Sequence, residues 1–161
     1  MLCLGCRKIE NMTGHEAGRL LLAQLYRQHT GAEMPPVLLT PRGKPYWKDS
    51  SLHFSISHTK NHVFCAISDR PIGIDAEELD RDIRLKLADK ILSPAERAQY
   101  DAAADKRLAL LKFWVLKEAQ VKLTGEGLPG VFRHTDFSLN DPRVTIQDHC
   151  LLAVLEDDYA V

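Results

Sequence analysis

Two short segments hold the residues best suited to chemistry. Gly73-Ile74-Asp75-Ala76-Glu77 sets two carboxylates one residue apart in an apolar run of strand character. Trp114-Val115-Leu116-Lys117-Glu118-Ala119-Gln120-Val121-Lys122 sets a carboxylate and a lysine four apart in a helical pattern. Alternate side chains of a strand share a face, so Asp75 and Glu77 point the same way. Residues four apart on a helix stack, so Trp114, Glu118 and Lys122 line one face, with Lys117 about 100° round from Glu118. If strand and helix meet, Asp75, Glu77 and Glu118 form an all-oxygen pocket for a hard divalent cation, with Lys122 at its rim. Such a pocket suits phosphoryl chemistry. The bland alternative makes Glu118–Lys122 a solvated ion pair and the strand acids surface charges. The joint pattern argues against it. Aspartate and glutamate are poor strand formers, and two carboxylates held together repel unless a proton or cation lies between them.

The elements that must position these residues are legible from capping and periodicity. Thr13-x-x-Glu16 is a capping box, followed by an apolar helical face to about Gln28 and a stop at Gly31. Pro35-Pro36 break the chain before a strand at Val37-Leu38-Leu39, and Pro41 to Pro45 is turn chemistry. His53 to His58 alternates as a half-buried strand, His62 to Ser68 is a more apolar one, and Ile72 to Glu77 a third. His58 and His62 stand four apart, but across a turn. Arg84 to Leu92 has helical character, and Ser93-Pro94-Ala95-Glu96 starts another helix with serine as cap and proline at its first position. The longest helix runs from Leu108 to Leu123, stopped by Gly125 and Gly127, and strands follow at Arg143 to Gln147 and Cys150 to Leu155. Helix then strands occurs twice, before and after about Pro71. The class is α+β with antiparallel sheet, in two similar halves.

Composition narrows the partners. A chain of 161 residues is one domain's worth, and its formal charge of −1 gives no reason to expect nucleic acid or an anionic membrane. No apolar run approaches the roughly 18 residues of a membrane span, and the first six residues lack a signal peptide's charged region. The four cysteines are scattered. Cys3-x-x-Cys6 is a lone pair, so free thiols in a reducing cytosol are expected rather than zinc.

Together, Gly73-Ile74-Asp75-x-Glu77 and Trp114-x-x-Lys117-Glu118-Ala119-x-x-Lys122 resemble the paired signature of the 4'-phosphopantetheinyl transferases. Arg42-Gly43-Lys44-Pro45, Phe54-Ser55-Ile56-Ser57-His58-Thr59, Val63 to Ile67, Pro71-Ile72, Gly125-Glu126-Gly127-Leu128 and a late strand Phe137-Ser138-Leu139 fall in the order of the surfactin-type branch. The second acid, Glu77, separates that branch from the small trimeric holo-acyl-carrier-protein synthases. Surfactin-type members carry a longer segment before the first helix that helps hold the nucleotide. Arg7, Lys8 and Arg19 are the nearest substitutes here.

The resemblance implies a single domain over 1–161, with half-domains at about 1–70 and 71–161 related by a pseudo-twofold and coenzyme A in the cleft between them. It implies an active cytoplasmic monomer that moves the phosphopantetheine arm of coenzyme A to a serine of an acyl or peptidyl carrier protein. Asp75, Glu77 and Glu118 would hold Mg²⁺, with Mn²⁺ as the alternative, and Glu118 would act as base. Lys122 and Lys117 would meet the departing bisphosphate or the pyrophosphate. Ser57 and His58 would contact the 3'-phosphate end of coenzyme A, with Arg42 and Lys44 near its adenosine. Competing expectations are a non-catalytic coenzyme A or carrier binder and a Mg²⁺-dependent phosphohydrolase.

Overall fold

Local capping chemistry sets the helices of the computed structural model, which describes residues 1–126 and 135–157. After strand β1 (Leu2–Lys8), Thr13 and Glu16 form a reciprocal capping box that starts α1 (Gly14–Thr30), and Gly31 ends it in the left-handed conformation at φ 72°. Strands β2 (Val37–Leu39), β3 (Pro45–Trp47), β4 (His53–His58), β5 (His62–Ser68) and β6 (Ile72–Glu78) follow. A 3₁₀ turn at Leu85–Leu87 runs into the short α2 (Ala88–Ile91). Ser93 and Glu96 then cap α3 (Pro94–Ala102), and Asp105 caps α4 (Lys106–Thr124), which ends at Gly125. The strands β7 (Val144–Gln147) and β8 (Cys150–Glu156) complete the described chain.

All strand pairings are antiparallel. One sheet has the order β1-β5-β4, a second β6-β8-β7, and β2 and β3 form a hairpin. Period-two alternation divides the core into layers. Val63, Cys65 and Ile67 of β5 face Ala17, Leu21, Leu22 and Leu25 of α1, whereas Phe64 and Ala66 face Ile72, Ile74, Ala76 and Leu152 of the second sheet. On that sheet's other side, Leu151, Ala153 and Leu155 of β8 pack against Leu110, Phe113 and Ala119 of α4. The order is helix, sheet, sheet, helix.

The free edge of β6 is closed without a backbone ladder. Ile74 N–H donates to Ser55 Oγ and Ala76 N–H to Ser57 Oγ, each at 3.0 Å, so two β4 hydroxyls satisfy the edge amides. On β6's other face, a Cβ at Gly73 would overlap the Ala119 carbonyl oxygen and the Leu123 amide of α4. Glycine there admits the helix backbone against the strand.

Most expected elements are present, within a residue or two at their ends. The α+β class with antiparallel sheets stands. Two strands, β1 and β3, were not anticipated, because β1 lacks a clean apolar–polar alternation and β3 is only three residues long. The Arg84–Leu92 helix shrinks to the 3₁₀ turn and α2. Phe137-Ser138-Leu139 is not a strand: its Phe137 and Leu139 amides donate to Glu96 Oε1 and Gln99 Oε1 of α3, so side chains replace a β partner. Gly127 and Leu128 lie outside the described residues.

Gly73→Ala should force α4 off β6 and destabilise the protein by at least about 1–3 kcal/mol, the usual cost of overpacking. Urea unfolding measures this, and an unchanged midpoint would contradict the close strand–helix contact.

Candidate active site

Strand β6 and helix α4 cross where Gly73 lets them touch, and the crossing brings the chemistry-bearing residues together. Asp75 pairs in register with Ala153, so it faces α4, as does Glu77 two residues on. Asp75 is 6% exposed. Its Oδ1 accepts hydrogen bonds from Ser57 Oγ at 2.9 Å and from Lys122 Nζ at 2.8 Å. Its Oδ2 is buried with no hydrogen-bond partner among the described residues. A carboxylate oxygen left dry and unpaired is costly. Asp75 Oδ2 is therefore the point at which a bound cation would be most effective.

Glu77 and Glu118 are half-buried beside it. Burial, and then the Asp75 charge, push both carboxyls above the usual range, with Glu77 adding to the effect on Glu118. Glu77 is restrained from two sides. Trp114 Nε1 donates to its Oε1 at 3.0 Å, Arg81 pairs with the same oxygen, and the Arg81 guanidinium lies 5.8 Å from the Trp114 ring centre. Neither contact was anticipated from sequence. The Trp114–Glu118–Lys122 stripe is visible in the sequence, but no local pattern ties Trp114 to Glu77, and Arg81 lies in a loop without a pattern.

The three acids and the ammonium of Lys122 make a hard oxygen donor set with a cation on its edge. The fit to a divalent ion rests on the orphaned Oδ2 and on two carboxyls whose proton affinity is raised by burial and by the neighbouring carboxylates. Lys122 also lines a cleft of about 250 Å³, with Arg42, Lys44 and Pro45 after β2, Phe54 and Ile56 of β4, and Gly125. That is below the roughly 300–1,000 Å³ of a pocket enclosing a whole drug-sized ligand. It suits one end of a longer ligand.

Other expected site residues are placed differently. Lys117, expected to meet phosphate, is 0% exposed and forms an ion pair at 2.8 Å with Glu96, which is equally buried. Its Nζ is also 3.5 Å from the Thr135 carbonyl. The sequence carried a signal for this: Leu110, Phe113 and Lys117 recur at i, i+3 and i+7, which puts Lys117 on the core face. Ser57, expected at the ligand, is 5% exposed, and its hydroxyl serves Asp75 and Ala76. It is a positioning residue. Lys44 donates to the Leu123 carbonyl at the C-terminus of α4, and burial lowers its pKa. His58 is exposed and does not line the cleft; it lies beside Gly14 in the first turn of α1. Cys3 and Cys6 fall on opposite faces of β1, Cys3 toward the α1 layer and Cys6 between the sheets, so they cannot share an ion. Arg7 and Lys8 are exposed on β1 and Arg19 on α1.

An α+β chain whose strand–helix crossing gathers three carboxylates and a lysine beside a partly basic cleft has the donor set of metal-assisted phosphoryl transfer. Comparison with known families makes the class specific: the 4'-phosphopantetheinyl transferase superfamily model matches residues 71–160. The chain belongs to that superfamily. It is 35% identical to the 4'-phosphopantetheinyl transferase gsp of Aneurinibacillus migulanus over 53% of this chain and 36% of the relative. It is 32% identical to psf-1 of Bacillus pumilus and 34% identical to HetI of Nostoc sp., each match covering 70% of this chain and 52% of the relative. The matches thus span about half the length, or less, of these curated relatives. No helix among the described residues is long and apolar enough to cross a membrane.

Two outcomes follow from the buried charges. Lys117→Met leaves Glu96 buried without its cation and should cost about 3–5 kcal/mol, read by denaturant unfolding. In chelator-containing buffer, Glu77 and Glu118 bind protons more tightly folded than unfolded. Stability should therefore fall as pH rises from the ordinary glutamate value of 4.5 through their raised folded values. Glu118→Gln should raise the thermal midpoint at neutral pH and flatten that slope. A lower midpoint with an unchanged slope would contradict the placement of Glu118 against Asp75.

Proposed function

We propose that the chain transfers the 4'-phosphopantetheine arm of coenzyme A to the serine hydroxyl of an acyl or peptidyl carrier protein. The observation that carries this reading is the convergence of Asp75, Glu77, Glu118 and Lys122 at the β6–α4 crossing, beside a cleft reached by Arg42 and Lys44. Asp75, Glu77 and Glu118 would hold Mg²⁺ or Mn²⁺, which when bound stabilises charge on the phosphoryl oxygens. The carrier serine oxygen forms a new bond to the β-phosphorus as the pyrophosphate P–O bond breaks, releasing adenosine 3',5'-bisphosphate. Glu118 takes the serine proton, and its raised proton affinity suits it to hold that proton until product leaves. Lys122, already within reach of Asp75, supplies positive charge to the departing bisphosphate. Ser57 fixes Asp75 in place. Arg42 and Lys44 meet the adenosine portion, and His58, exposed at the start of α1, meets the 3'-phosphate.

The architecture supports a pseudo-twofold. Both three-stranded sheets place their first strand at one edge, their last strand in the middle and the intervening strand at the far edge, and each packs one long helix. The half-domains are then 1–70 and 71–161 of one domain, acting as a cytoplasmic monomer. Lys117 belongs to the support of α4 rather than to the reacting groups.

The test is mass spectrometry of a panel of apo carrier proteins incubated with the chain, coenzyme A and Mg²⁺. The carriers should gain the phosphopantetheine mass, and Glu118→Gln should slow the gain at least about 100-fold, the scale of losing a positioned base. Unmodified carriers with phosphate released from coenzyme A would point instead to a hydrolase. Calorimetric binding of coenzyme A without turnover would leave a non-catalytic binder.

A further inference from the structure

A second constellation lies away from the acidic crossing, where the two sheets meet at the end of β6. His62 opens β5, Glu78 ends β6, and Cys150 opens β8 directly opposite Glu78 in the strand register. Their donor atoms all lie within 4.8 Å of one another, and they are the one such group of three among the described residues. Cys150 Sγ is 3.9 Å from His62 Nδ1 and 3.6 Å from Glu78 Oε2, and His62 Nδ1 is 4.0 Å from Glu78 Oε1. In a tetrahedral site with Zn–N of ~2.0–2.1 Å and Zn–S of ~2.3 Å, neighbouring donors stand about 3.5 Å apart. With one donor atom from each residue, separations of up to 4.8 Å need to close by as much as about an ångström.

We propose that His62, Glu78 and Cys150 form a zinc site that ties the two sheets together. The donor set is nitrogen, oxygen and sulfur, which suits a borderline-soft ion and not Mg²⁺.

The carboxylate is already oriented for this. Glu78 Oε1 accepts from Thr59 Oγ1 at 2.6 Å, from the Asn61 amide at 3.3 Å and from Asn61 Nδ2 at 3.2 Å. Oε2 is thereby turned to Cys150. Partners behind a ligand that fix its direction are a regular feature of metal sites. Burial, and then Glu78, push the Cys150 thiol up to about 11. The thiol proton therefore leaves to solvent only as the metal binds. His62 comes from the first sheet and Glu78 and Cys150 from the second, so the ion would bridge β5, β6 and β8.

Chelator-treated, reduced protein titrated with Co²⁺ tests this. One equivalent should give the visible bands of a tetrahedral ion and a near-ultraviolet thiolate band. The thiolate band should vanish in Cys150→Ser and persist in Glu118→Gln, which touches only the acidic crossing. Zn²⁺ should raise the thermal midpoint and displace Co²⁺, and His62→Ala should weaken Zn²⁺ binding at least tenfold by equilibrium dialysis. His62 is partly exposed, so this variant decides the matter even if Cys150→Ser does not fold. A wild-type Co²⁺ spectrum without a thiolate band, or equal Zn²⁺ affinity in wild type and His62→Ala, would overturn the proposal.

Discussion

Two serine hydroxyls on β4 take the place of a backbone ladder along the open edge of β6, and the rest of the structure depends on them. A hydroxyl has one donor and two acceptor positions, so it can serve an edge amide and still reach a further group. Ser55 Oγ accepts from Ile74 and Ser57 Oγ from Ala76, which closes an edge that would otherwise present unpaired donors. Ser57 spends its own proton on Asp75. The contact that joins the two sheets is therefore also the contact that aims the most buried carboxylate. Relative movement of the sheets and distortion of the acidic crossing are physically the same event.

Helix α4 makes the other half of that crossing, and its two lysines show how one helix sorts charge by face. Lys122 emerges beside Asp75 with its ammonium partly in water, where it can exchange one anion for another. Lys117 is dry and paired with Glu96, whose other oxygen accepts from the Phe137 amide. A buried pair of this kind adds little net stability over an apolar substitute, but losing one partner is costly. This pair fixes the rotation of α4 about its axis and ties the chain near residues 135–139 to α3 without a β partner. Rotation of α4 in turn decides whether Glu118 faces Asp75.

Much of this was legible in the sequence because the informative signals were local. Capping boxes at Thr13–Glu16 and Ser93–Glu96, glycine stops at Gly31 and Gly125, and alternation along β4, β5 and β6 all act within a few residues. Asp75, Glu77, Glu118 and Lys122 were found the same way, from periods of two and of four. What escaped were relations between distant segments. The cleft could be named by its motifs, but only packing shows that Ser57 is consumed inside the fold and that Lys44, on the cleft wall, also bonds the end of α4. Resemblance to a family transfers residue types, and burial decides which of them remain free to meet a ligand. Trp114 and Arg81 act on Glu77 from elements whose meeting no local pattern encodes.

The two donor clusters illustrate how separation by hardness follows from strand parity. On β6, Asp75 and Glu77 project toward α4, while the next residue, Glu78, projects between the sheets. Consecutive acids on one strand thus enter opposite chemical environments. Toward α4, the neighbours are carboxylates and a lysine, all oxygen and nitrogen cation chemistry. Between the sheets, the neighbours are an imidazole and thiols. A hard ion has no reason to prefer the second set, nor a borderline-soft one the first. A shift of β6 by one residue against β8 would exchange the two faces and dismantle both clusters. The pairing of Glu78 with Cys150, and hence of Asp75 with Ala153, is accordingly a constraint on chemistry as much as on packing.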